Sequence, residues 1–120
     1  MDPFTINFVI SLGYTGPWIL GESGETCNQV CSKMGRYCND KKQSALISNQ
    51  LVAEKMAEAG YTCKGFHGAR GYPGTPFSTG RKDDCAPLIP GSKAVCNGNQ
   101  DPGHRALCYC DEGKIHCSTP

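Results

Sequence analysis

Hydrophobic and polar positions first fall into register near the start of the chain, where Ile6, Phe8, Ile10 and Leu12 alternate with Asn7, Val9 and Ser11. A period of two predicts a strand with one buried face. Gly13 to Pro17 turns the chain, and Trp18-Ile19-Leu20-Gly21 predicts a second short strand that carries the single tryptophan into the core. From Ser23 the spacing becomes helical. Ser23 or Thr26 can cap, Glu25 suits the positive helix end, and Gly35 suits a left-handed stop. Cys27, Val30, Cys31 and Met34 then share one face.

The clearest helix follows. Ser48-Asn49-Gln50 opens it, Leu51, Val52, Met56 and Ala59 form an apolar stripe, Glu54 and Glu58 lie on the polar side, and Gly60 closes it. Its start can also be placed as early as Lys42. Residues 64–82, rich in Gly, Pro, rings and cations, sustain neither period and are read as a long irregular loop. Farther on, Arg105-Ala106-Leu107-Cys108-Tyr109-Cys110 alternates as a strand with Leu107 and Tyr109 on one face. The cysteine intervals share no period, so there is no internal repeat.

Composition changes this picture in one respect. The 120 residues include 9 Cys, 15 Gly and 8 Pro, with 38% hydrophobic residues, which leaves a thin core in need of covalent staples. Such cysteine usage points to an oxidising compartment, and hence to a secreted or extracellular chain; a cytosolic chain with reduced thiols is the alternative. Cys27, Cys31, Cys38, Cys63, Cys85, Cys96, Cys108 and Cys110 are expected in disulfides, with Cys117, near the polar terminus, as the free thiol. Cys27 and Cys31, on one helical stripe, are expected to reach separate partners. Cys108 and Cys110 point the same way along a strand, cannot easily bond each other, and are natural counterparts for them.

The 12 basic residues nearly cancel 11 acidic ones, so the overall field favours neither nucleic acid nor an anionic membrane. No apolar run is long enough to span a bilayer. Met1 to Thr5 is read as a cloning remnant, 6–117 as a single cysteine-rich domain, and 118–120 as a tail. The run Ile6 to Leu12 lacks the basic flank and cleavage site of a signal peptide, which suggests a module cut from a longer secreted parent.

Two metal readings and a catalytic one can be weighed. His104, Cys108, Cys110, His116 and Cys117 are soft ligands close in sequence, but their spacings match no common zinc knuckle. Asn97, Asn99 and Asp101 alternate as in a calcium loop, yet Pro102 stands where glycine is needed. No metal or cofactor is expected. His67, His104 and His116 could serve as bases, but no nucleophile elbow or phosphate loop accompanies them, so an enzyme is not expected.

Trp18-x-Leu20-Gly21, Cys27-x-x-x-Cys31-x-x-x-Gly35-x-x-Cys38, the single cysteines 63, 85 and 96, and Arg105-x-Leu107-Cys108-x-Cys110 form an ordered pattern. It resembles the cysteine-rich module at the C-terminal end of the N-acetylglucosaminyltransferase V family and similar secreted modules of single-celled eukaryotes. Tyr109 replaces the proline that separates the final cysteine pair in that family. The resemblance implies a secretory-pathway disulfide module that is accessory to a separate catalytic domain, without transferase activity of its own. Ala57-Glu58-Ala59-Gly60-Tyr61 and the Cys-x-Cys pair resemble, more distantly, the WSC carbohydrate-binding domain.

The expectation is therefore an α+β, small disulfide-rich single domain, two helices packed on a short antiparallel sheet with long irregular loops. Its expected function is non-catalytic binding of a glycan or protein partner. The candidate ligand-binding residues are Lys64, Phe66, His67, Arg70, Tyr72, Phe77, Arg81 and Lys82, which combine rings for stacking with cations for anionic groups. A structural or assembly module of a larger secreted protein, or a small secreted effector or inhibitor, are the other readings.

Overall fold

The computed structural model describes residues 16–70, 77–79, 84–98 and 102–112, so the strand expected over Ile6 to Leu12 lies outside the described residues. In chain order the elements are β1 (Trp18–Ser23), α1 (Cys27–Lys33), β2 (Arg36–Cys38), α2 (Asp40–Gln43), α3 (Asn49–Glu58), β3 (Gly65–Phe66), β4 (Phe77–Thr79), β5 (Asp84–Ala86) and β6 (His104–Glu112). This is the expected small disulfide-rich α+β domain, with a four-residue α2 added and one parallel strand pair, β3 with β5.

The local signals explain where the helices begin and end. Thr26 Oγ1 accepts from Gln29 N while Gln29 Oε1 accepts from Thr26 N, a reciprocal cap that starts α1. Gly35, at φ +70°, turns the chain out of it. The apolar face of α1 ends sooner than its spacing predicts. Cys27, Val30 and Cys31 are buried, whereas Met34 has already left helical geometry as the C-cap and is exposed.

A single helix starting at Lys42 is not what forms. Asn39 caps α2, and Ser48 Oγ accepts from Leu51 N to cap α3 separately. Between the two caps the chain turns, which drives Leu46 inward to 2% exposure. Within α3, Val52 and Met56 are fully buried but Leu51 is 36% exposed, so the stripe is narrower than its composition suggests.

Strand β6 is the axis of the sheet. It pairs antiparallel with β1, with β4 and, farther along, with β2; β4 in turn pairs with β5, and β5 with β3. Alternate residues of β6 serve two different cores. Ala106, Cys108 and Cys110 pack with Cys27, Val30 and Cys31 of α1. Leu107 and Tyr109 pack with Trp18, Leu46, Val52 and Met56. Burial on both faces follows from helices lying on both sides of the strand, and Trp18 meets Tyr109 edge-on at 5.0 Å between ring centroids.

Two details close the packing. The β1–β6 register slips by one residue between Leu20 and Ser23, a bulge at which Gly21 passes so close to α1 that a Cβ there would stand 2.6 Å from Val30 Cγ2. On the other edge of β6, the ladder is interrupted between Ala106, opposite Phe77 of β4, and Cys110, opposite Cys38 of β2. Buried Gln43 fills the gap: its Oε1 accepts from Tyr109 N at 2.9 Å. Gln43→Leu keeps the volume but orphans that N–H, and is expected to lower stability by roughly 1–3 kcal/mol, read from the denaturant midpoint.

Four disulfides link the layers: Cys27–Cys108, Cys31–Cys110, Cys38–Cys96 and Cys63–Cys85. They use eight of the nine cysteines; Cys117 lies outside the described residues. Glu25 adds a surface tie. Its carboxylate accepts from Lys33 Nζ at 2.6 Å and from Glu22 N, and the Lys33 hydrogen bond foremost holds its pKa below the usual value. This contribution is present at neutral pH and is lost as pH falls through the lowered pKa.

Candidate ligand-binding surfaces

The stretch read as one irregular loop has more order than its lack of period suggests. Its opening runs extended beside β5: Gly65 and Phe66 pair with Asp84 and Cys85, His67 N donates to Cys85 O at 2.8 Å, and Arg70 N donates to Pro87 O at 2.9 Å. Ile89 N returns a bond to Arg70 O. Cys63–Cys85 staples the same two segments. A two-residue strand that starts at Gly65 and is followed by Gly68 is too short to show a period of two, so the sequence concealed it.

On this stapled edge, Lys64, Phe66 and His67 are exposed, Phe66 at 41%, and Arg70 is half-buried. Arg70 Nη2 stands 2.7 Å from His67 Nε2. A guanidinium has no acceptor, so the histidine nitrogen accepts in this contact. The structure therefore brings His67 and Arg70 together, with exposed Phe66 preceding them on the same edge. Phe77 belongs elsewhere in the backbone plan: it is a strand residue, paired with Ala86 on one side and Ala106 on the other. Tyr72, Arg81 and Lys82 lie outside the described residues.

A concavity of about 460 Å³ elsewhere on the domain was not foreseen from the sequence. Asn28, Gln29 and Ser32 line it from the outer side of α1, and Arg36, Tyr37 and Cys38 line it from β2. A smaller hollow of about 160 Å³ adjoins at Arg36. The polar side of α1 was legible as the face opposite Cys27, Val30 and Cys31. What faces it was not, because β2 is a three-residue strand positioned by its pairing with the end of β6 and by Cys38–Cys96.

The groove is braced from both sides. Asn28 N donates to Cys96 O at 3.0 Å, and Asn28 Nδ2 donates to Asn97 Oδ1. Arg36 Nη1 donates to Gly16 O at 3.0 Å and Nη2 lies 3.8 Å from Glu112 Oε2. Tyr37, by contrast, is 60% exposed.

No group of three or more His, Cys, Asp and Glu side chains among the described residues is placed to hold a metal ion. Cys108 and Cys110, two of the ligands weighed for zinc, are committed to disulfides. Among the described residues no helix is long and apolar enough to cross a membrane.

Fold and bridges together define a small disulfide-rich α+β domain. The sequence matches no protein-family model, and no curated protein matches it.

Proposed function

We propose that this is a non-catalytic extracellular binding module that recognises a glycan or protein partner through the surface beginning at Lys64 and extending to Lys82. The observation that carries this reading is the stapled edge. Exposed Phe66 and the His67–Arg70 pair sit on backbone bonded to β5 and closed by Cys63–Cys85, so a ligand would meet an ordered surface and little would have to be immobilised on binding. Lys64 and Arg70 suit anionic groups, and Phe66 supplies a ring for stacking.

The four bridges support the extracellular part of the proposal, since disulfides persist in oxidising compartments. The eight cysteines that the bridges occupy offer no thiolate. The resemblance to the N-acetylglucosaminyltransferase V module is consistent with an accessory role beside another domain.

Arrays of anionic and neutral glycans, together with an array of acidic peptides, test the reading. A ligand from one of them is expected to lose about tenfold or more in affinity with Phe66→Ala and with Arg70→Ala. A ligand indifferent to both substitutions, or no ligand on any array, overturns it.

A further inference from the structure

We propose that the groove between α1 and β2 is a separate binding site for an uncharged saccharide. The chemistry of its lining points there. Tyr37, 60% exposed at the groove, takes part in none of the ring contacts of the described residues, which are Trp18 with Tyr109 and the cations Lys42 and Arg105 over Tyr109 and Tyr61. A tyrosine in that position offers an apolar face to a pyranose ring and a hydroxyl at its edge.

Across from it stand groups suited to sugar hydroxyls, which both donate and accept. Asn28 commits its amide nitrogen to Asn97, which leaves its oxygen as an acceptor. Gln29 commits its oxygen to the helix cap, which leaves its amide nitrogen as a donor. The Ser32 hydroxyl can do either.

Charge argues for a neutral ligand. Among the described residues Arg36 is the one ionised residue lining the groove, and it is offset by Glu112 and bonded to Gly16 O. Its guanidinium has structural partners on both arms. An anionic sugar would have to compete with these, whereas a neutral sugar would not.

Size and rigidity agree with the chemistry. The volume of about 460 Å³ lies within the range of small-molecule sites, roughly 300–1,000 Å³. One wall is a capped helix and the other a strand, and Cys38–Cys96 with the Asn28 N to Cys96 O bond ties both to the same segment. Preorganisation of this kind lowers the entropic cost of binding. The site shares no residue with the 64–82 surface, so the two stand or fall separately.

The test is a chemical-shift titration of the whole oxidised chain with neutral trisaccharides of glucose, mannose and N-acetylglucosamine, and with a sialylated trisaccharide for comparison. At least one neutral sugar is expected to give saturable shifts at the Asn28, Ser32 and Tyr37 amides. Tyr37→Ala is expected to weaken that binding about tenfold or more, Tyr37→Phe, which keeps the ring and loses only the edge hydroxyl, to weaken it less, and Phe66→Ala, outside the groove, to leave it unchanged. Ser32→Trp, on the exposed side of α1, fills the groove and is expected to abolish binding, which provides a second variant should Tyr37→Ala disturb β2. Shifts centred on Phe66 and Arg70, tighter binding of the sialylated sugar than of any neutral one, binding indifferent to both groove substitutions, or no saturable shift with any sugar would each overturn the proposal.

Discussion

Removing both bridges between α1 and β6, through Cys27→Ala, Cys31→Ala, Cys108→Ala and Cys110→Ala together, is expected to destabilise the chain by more than the sum of removing each bridge alone. The reason lies in the unfolded chain. Cys27–Cys108 and Cys31–Cys110 have sequence separations of 81 and 79, but Cys38–Cys96 lies within both spans, so either one alone closes a loop of roughly 25 residues and restricts the unfolded state by about 3.5 kcal/mol. Once one is closed, the other closes a small ring, from Cys27 to Cys31 on one side and from Cys108 to Cys110 on the other, and adds about 2.5 kcal/mol.

Each bridge is therefore expected to cost about 2.5 kcal/mol when removed singly, and the two together about 6 kcal/mol, a large part of the roughly 5–15 kcal/mol by which domains are stable. Denaturant unfolding of the two double-alanine variants and the quadruple variant measures this directly. A quadruple variant that stays folded, with a loss no greater than the sum of the two separate losses, would contradict the chain-entropy account.

Leu107→Ala should be the most damaging single change in the sheet. Leu107 has no exposed surface and lies among Trp18, Leu46, Val52, Met56 and Cys85, where β6 meets α3. Truncation there removes apolar contact and leaves a void between rigid neighbours, at a cost of about 2–5 kcal/mol. Leu51→Ala is the control. Leu51 was read as part of the apolar stripe of α3 but is 36% exposed, and its truncation is expected to cost below about 1 kcal/mol. Equal shifts of the denaturant midpoint for the two variants would show that the burial assigned to β6 is wrong.

The candidate surfaces show where legibility stopped. Phe66, His67 and Arg70 were readable as a chemistry-bearing stretch because rings and cations between glycines signal an exposed segment. That the segment runs as a parallel edge beside Asp84 and Cys85, and that Phe77 leaves it for the sheet, depends on pairing partners distant in sequence. The groove was less accessible still. Asn28, Gln29 and Ser32 look like an ordinary solvated helix face until β2 is set opposite them. Gln43 looks like a surface residue until the interrupted ladder of β6 brings Tyr109 N to its side chain.

The sequence by itself determined the local structure and the need for covalent support. Thr26 and Ser48 start helices because their side chains satisfy helix-start N–H groups a few residues away, and Gly35 ends one because its φ is positive; none of this requires a distant partner. The alternation of Leu107 and Tyr109 with Cys108 and Cys110 likewise defines two faces without saying what covers them. Tertiary structure decided what covers each face, which segments flank the binding surfaces, and where one helix becomes two. Those outcomes rest on contacts such as Cys27–Cys108, Leu88 N to Leu46 O and Asn39 N to Tyr109 O, and on the competition for burial among distant apolar segments, which no local window of residues contains.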